Sequence, residues 1–473
     1  MPSLLITGAR IIDPATNLDE IGDVAIADGL IAAVAPRRTH KAGLSASGAE
    51  RVIDGEGLIL TPGLIDPHVH LREPGGEDQE TIATGTAAAV AGGFTSVCCM
   101  PNTTPAIDDD AMVEFVYRQA QITGKCRVFP VGAASKGRKG EELAEIMLMA
   151  GAGAVGFTDD GDGIASAGLM AKALTYIKPT GMALMQHCQE PTLTRGAAMH
   201  AGSVSTRLGL TGWPRVAEEV MIERDVRLNR GIGCHYHVQH LSSGGSVKII
   251  RRARAEKQPV SAEVSPHHLL LTHEEVEKNG GYWTAAKMNP PLREKSDIAA
   301  ILEGVADGTI TLLATDHAPH TPERKALDFD NAPFGIIGLE TALALYIEAL
   351  ITPGVIDWPR LVAMLTIEPA RLCLLDQLDA NHAGSASGPA AGLGLGRLHV
   401  GGAGDITLID PGMKWKISPA DLAGKSRNTP FLGREVKGRA VATIVGGEVR
   451  MERLADRAAP KRAVSGAHAS VRA

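Results

Sequence analysis

Between about residue 58 and residue 315, short apolar runs alternate with helical stretches, and this alternation restricts the fold more than any other feature of the chain. Strands are expected near 58–66 and at 94–100, 126–132, 153–157, 182–187, 232–240, 259–264 and 309–315. Helices at 81–91, 108–123, 141–150, 166–178, 214–229, 244–257 and 297–305 separate them. A strand that returns through a helix pairs parallel to its predecessor, which calls for a parallel sheet covered by helices. Eight such units point to a closed (β/α)8 TIM barrel. The rival is a doubly wound open sheet, but no Gly-x-Gly-x-x-Gly turn follows an early strand to support it.

The two ends read differently. Leu4-Leu5-Ile6, Ala9-Arg10-Ile11-Ile12, Asp23–Ile26 and Leu30–Val34 are short β runs, with Asp28-Gly29 placed as a hairpin turn. Beyond helices at about 338–351 and 358–366, β texture returns at Asp405–Asp410 and Arg439–Val445. The simplest arrangement is a small β-sandwich domain built from both termini, residues 1–60 and 397–453, around a barrel spanning 61–382. Residues 383–396 read as a Gly/Ala-rich linker, and 454–473 as a basic tail expected to be disordered.

Composition narrows the function. A net charge of −7 with no Lys/Arg-rich run offers no footprint for nucleic acid or an anionic membrane. No stretch approaches the roughly 18 apolar residues of a membrane span, and the N-terminus lacks a signal-peptide pattern. The six cysteines form no Cys-x-x-Cys pair and read as reduced core thiols. A cytoplasmic protein acting on a small molecule is the expectation.

The chemistry begins at Gly63–Gly75. Extended backbone repeats every second residue, so Asp66, His68, His70 and Arg72 are expected on one face at the end of the first barrel strand. Other strands end in similar residues: Asp159-Asp160 after 154–157, His187 after 182–186, His240 after 234–239 and Asp316 after 310–315. In a barrel these ends share one rim, where four imidazoles and two or three carboxylates can hold two divalent ions. Each residue also has a plainer reading, as a turn or a hydrogen-bonded core side chain. Spacing does not choose Asp160 over Asp159, nor His240 over His235 or His237.

Six motifs together resemble one family: Asp66–Gly75, Met100-Pro101-Asn102-Thr103, Phe157–Gly161, Met288–Arg293, Ala314–His320 and Asn428-Thr429-Pro430-Phe431. From about residue 3 to 452 the chain resembles the amidohydrolase superfamily, and within it dihydroorotase of the longer bacterial type. The resemblance implies two zinc ions (Zn2+), one on His68 and His70, the other on His187 and His240, with Asp160 bridging them. Asp316 would ligate a metal and act as the catalytic proton shuttle. Arg72, Asn102 and His320 would meet the substrate carboxylate, and Asn289 with the Phe334-Gly335 backbone would lie near the ring. The implied reaction is the interconversion of N-carbamoyl-L-aspartate and L-dihydroorotate in de novo pyrimidine biosynthesis.

Allantoinase and hydantoinase are the nearest alternatives, but their relatives usually bridge the metals with a carboxylated lysine, and residues 153–160 contain no lysine. A non-catalytic subunit supporting aspartate carbamoyltransferase is another, although such proteins lose metal histidines that are present here. A homodimer is the expected assembly, and association with aspartate carbamoyltransferase is compatible with an active enzyme.

Overall fold

The computed structural model describes residues 3–377 and 392–456. Most of the expected linker at 383–396, and the tail beyond 456, therefore lie outside the described residues.

Strands Leu64–Val69, Phe94–Cys99 and Arg127–Pro130 pair in parallel, as do Ala183–Gln186, His235–Val238, Val260–Val264 and Leu312–Leu313. The fourth expected strand joins the two sets through Phe157, which bridges Gly132 on one side and Leu184 on the other. Val155 N–H donates to Pro130 O (3.0 Å) and Phe157 N–H to Ala183 O (3.1 Å), so the ladder is continuous. A parallel bridge between Val69 and His317, with His70 N–H donating to His317 O (2.9 Å), closes the ring. Asp66 reinforces this seam. Its buried carboxylate accepts the Thr315 N–H (3.3 Å to each oxygen) and the His68 N–H (3.1 Å). Pro67 has no N–H for the ladder, and the pairing shifts register between Asp66 and Val69.

Two expected helices differ. The helix placed at 141–150 runs Ile146–Ala152 instead, because Leu143 pairs antiparallel with Ser135 and Ala144 N–H donates to Ala134 O (3.1 Å). The helix placed at 338–351 starts at Ala342 and ends in a π turn over Ile347–Ile351, since Gly338 N–H is turned toward His317 Nδ1 (3.2 Å).

Both termini build one eight-stranded sheet, in the order Glu448–Glu452, Glu435–Val445, Ile406–Lys416, Ile59–Pro62, Leu4–Asp13, Leu18–Ala27, Leu30–Pro36, with Arg51–Asp54 also on Leu4–Asp13. Asp28 (φ 51°) and Gly29 (φ 77°) make the expected hairpin turn, whose two left-handed residues match strand twist. The sheet folds back on itself: Ile31 N–H reaches Gly402 O (2.9 Å) and Gly447 N–H reaches Gly404 O (2.9 Å). Leu4, Ile6, Ile11, Val24 and Ile26 thereby share a core with Ile406, Leu408 and Ile444. Arg127 in the third barrel strand forks onto Asp405 (2.7 and 3.1 Å), joining the two units.

The first barrel helix, Ile82–Gly92, is held against the loop after the eighth strand. A Cβ on Gly92 would lie 2.0 Å from Leu339 O and 3.3 Å from Glu340 Cα, both backbone atoms. Gly92→Ala should therefore cost about 1–3 kcal/mol of stability, read as a lower denaturant midpoint.

Candidate active site

Four buried imidazoles converge on Asp160 at the carboxyl ends of the barrel strands. His68 Nε2 and His240 Nε2 each lie 3.4 Å from Asp160 Oδ1, His187 Nδ1 lies 3.5 Å from the same oxygen, and His70 Nε2 lies 3.5 Å from Oδ2. Asp316 Oδ1 sits 3.1 Å from His70 Nε2 and 3.6 Å from His68 Nε2. Burial opposes ionisation of Asp160, but the charge and N–H groups that His68, His187 and His240 present when protonated outweigh it and hold the carboxyl well below its usual range. Burial also pushes Asp316 upward, and His68, His70 and His240 reverse that, bringing it to about 2.

Neighbours set the tautomers. Ring N–H groups of His68 (Nδ1 to Glu263 Oε1, 2.6 Å), His70 (Nδ1 to Asn102 Oδ1, 2.8 Å) and His187 (Nε2 to Gln189 Oε1, 2.9 Å) face oxygen acceptors. In the neutral rings the remaining nitrogens carry lone pairs directed at Asp160 and Asp316. His187 Nδ1 and His240 Nε2 approach to 2.8 Å, while His68 Nε2 and Asp160 Oδ1 are buried without a hydrogen-bond partner. Lone pairs facing lone pairs fit divalent cations bound through nitrogen and oxygen. Two overlapping sets meet that need, His68/His70/Asp316 and His68/Asp160/His240.

The neighbouring candidates lie elsewhere. Asp159 accepts the N–H groups of Ala134 and Ser135 (2.9 Å each) and so holds the adjoining loop. His237 binds Glu263 Oε2 (3.0 Å) and Ser261 Oγ (2.8 Å), and His235 binds Ser261 Oγ (2.8 Å), both below the rim.

A cavity of about 310 Å³ opens over this cluster. Every residue expected at the site lines it except His68, which is fully buried beneath. Arg72 departs from the expected strand: it follows Val69 with φ 60°, so its direction comes from a turn instead of the two-residue repeat. Its Nε–H donates to Pro319 O (3.2 Å), and among the described residues it forms no ion pair. Glu73 accepts the Ile82 N–H (2.8 Å) and Glu77 the Gly75 N–H (2.9 Å). Burial lowers the Arg72 pKa to about 10, which leaves it charged at neutral pH. Asn102 spends its oxygen on His70. Asn289 Nδ2 donates to Gln189 Oε1 (3.1 Å), leaving its oxygen buried and unpartnered. His320 Nε2–H donates to Phe334 O (2.6 Å), and Gly335 N–H donates to Lys287 O (3.0 Å).

Glu263, which holds the His68 ring, is the site neighbour that the sequence pattern does not single out. Its signal is an acid in the otherwise uncharged strand Val260–Val264. A separate group, His200, His273 and Glu294, also clusters. There Arg293 Nη1 donates to His200 Nδ1 (3.3 Å), which puts the ring proton on Nε2, and Arg215 pairs with Glu294. His200 Nε2 is thus a donor toward Glu294, 4.0 Å away, instead of a cation ligand.

A closed barrel with a two-ended β unit and a His/Asp cluster at its strand ends defines the amidohydrolase class. Solved structures share the architecture: an L-hydantoinase (dihydropyrimidinase) from Arthrobacter aurescens superposes with a TM-score of 0.81 at 24% identity, covering 96% of both chains. A D-hydantoinase (dihydropyrimidinase) from Thermus sp. gives 0.77 at 24% identity, covering 95% of both. Residues 57–246 match the family model described as dihydro-orotase-like. The sequence is 47% identical to a dihydroorotase of Pelotomaculum thermopropionicum, covering 95% of this chain and 98% of that one. It is 44% identical to a dihydroorotase of Citrifermentans bemidjiense, covering 94% and 99%. The chain belongs to the dihydroorotase family.

Because Glu263 fixes the His68 ring, Glu263→Ala should weaken divalent-metal affinity by about 10–100-fold, measured by competition with a chromophoric chelator.

Proposed function

We propose that this chain is a zinc-dependent dihydroorotase, opening the ring amide of L-dihydroorotate to N-carbamoyl-L-aspartate and closing it again. The observation that carries this reading is Arg72, a half-buried guanidinium facing the His/Asp cavity with no carboxylate partner among the described residues. A carboxylate substrate supplies that partner, and the guanidinium fork binds it bidentately. Family membership and the convergent imidazoles support the same reading.

His68 and His70 would hold one zinc and His187 and His240 the other, with Asp160 between them and Asp316 beside His70. When bound, the ions supply Lewis-acid polarisation of the ring carbonyl and a lowered pKa for water. The chain's own residues do the rest. Asp316 faces the cavity and takes the proton of the attacking water as the oxygen–carbon bond forms. It then passes that proton to the ring nitrogen as the carbon–nitrogen bond breaks. Arg72 anchors the substrate carboxylate, which sets the ring carbonyl over the cluster. Asn289, Phe334 and Gly335 wall the ring, and Asn102 keeps His70 in the required tautomer.

Purified protein should contain two zinc ions per chain and open dihydroorotate faster than hydantoin or allantoin; faster opening of either alternative would overturn the substrate assignment. His68→Ala should lose both zinc and activity. Asp316→Ala should lower kcat by about 10²–10⁴-fold. Arg72→Ala should raise KM for dihydroorotate by about 10–100-fold, the worth of a charged hydrogen-bonded pair.

A further inference from the structure

The motif Asn428-Thr429-Pro430-Phe431 comes from the small domain, yet its first residue reaches the barrel rim. Residues 422–431 leave the sheet between strands Ile406–Lys416 and Glu435–Val445 and cross the barrel loops. Ala423 and Gly424 N–H groups donate to Glu340 Oε1 (3.1 Å each), and Ser426 Oγ–H donates to Gln79 O (2.9 Å). The Asn428 side chain is buried at the end of this strap. Its Oδ1 accepts the His320 N–H (3.1 Å), and its Nδ2 donates to Ala318 O (2.9 Å) and Gly335 O (3.0 Å). Its backbone carbonyl accepts the Ile337 N–H (3.0 Å).

We infer that Asn428 is a positioning residue for the carboxylate end of the cavity, through which the small domain sets substrate affinity; this rests on the dihydroorotase reading above. One amide ties the turn at 318–320 to the wall at 335–337. The first carries Pro319 O, which holds Arg72 Nε, and His320, whose ring reaches Phe334 O. The second carries Gly335, whose carbonyl Lys325 Nζ also holds (3.2 Å). Both N–H donors of Asn428 and one oxygen lone pair are used, a combination that neither a carboxylate nor a methyl group reproduces. Asn428 touches none of the reacting atoms, so its loss acts on binding more than on turnover.

The test compares Asn428→Asp and Asn428→Ala in the zinc-loaded full-length enzyme, reading KM and kcat for dihydroorotate, zinc content and thermal midpoint. Asp keeps the shape and one acceptor but sets an oxygen against the carbonyls of Ala318 and Gly335. The expected result is a KM raised about tenfold or more in the Asp variant and less in the Ala variant, with kcat within about threefold and zinc unchanged. A space-filling role predicts the reverse order, with Ala the worse, and that result overturns the inference. Should the Asp variant fail to fold, the Ala variant decides, and a KM within about twofold of wild type overturns it. An inactive wild-type enzyme would instead refute the dihydroorotase reading.

Discussion

Asp160 is a buried carboxylate surrounded by imidazole lone pairs, and the rest of the rim is arranged around that arrangement. A buried carboxylate oxygen without a donor costs several kcal/mol, roughly as much as a fair share of a domain's net stability. Glu263, Asn102 and Gln189 increase the demand by taking up the ring protons that could have satisfied it. A divalent cation would answer these lone pairs together. The ligand atoms come from five strand ends, so the arrangement also requires a closed barrel, and the closure runs directly under it. Asp66, two residues from His68, and His317, next to Asp316 and bonded to the His70 N–H, join the first and eighth strands.

Backbone strain marks the same rim. Arg72, His240 and Asp316 have φ values of 60°, 30° and 49°, in the left-handed region that L residues avoid at about 1–2 kcal/mol each. At each of these positions the chain turns away from strand geometry. The turn lets a side chain leave the two-residue repeat and point into the cavity. His240 keeps its place partly because its own N–H donates to Glu263 Oε1 (3.2 Å), the same oxygen that holds His68.

The barrel was legible because buried parallel strands are apolar runs, and eight of them separated by helices leave few ways to close. The carriers of the site were legible as polar residues at the ends of those runs. Other details depend on contacts that no local pattern encodes. Asp159 and Asp160 differ only in what surrounds them: Asp159 meets the Ala134 and Ser135 amides on the neighbouring strand's loop, and Asp160 meets the imidazoles. His237 is equivalent to His240 by spacing, and it is Glu263 that separates them by engaging the His237 ring below the rim. Arg72 lines the cavity, but a turn directs it there and not the strand alternation by which it is expected on that face. The residues around 141–144 carry helical composition, and pairing with the loop at 134–135 overrides it.

Two kinds of precision are needed at this rim, and they come from different parts of the chain. Cation ligands need fixed ring orientations, and the barrel supplies them from its own strands. The opposite end of the cavity is built from loop backbone, whose carbonyls must be held by donors. Pro333 O and Gly335 O take Lys325, Phe334 O takes His320, and Gly335 O also takes Asn428. Two of these donors, Lys325 and His320, lie in or beside the loops they hold. The third, Asn428, comes from the other end of the chain, between two strands of the small sheet. A loop tied only to itself can move as a unit, whereas one tied to a separate sheet has an external reference. On this view the small domain does more than close off strand edges: it gives the substrate end of the cavity a fixed position relative to the His/Asp cluster.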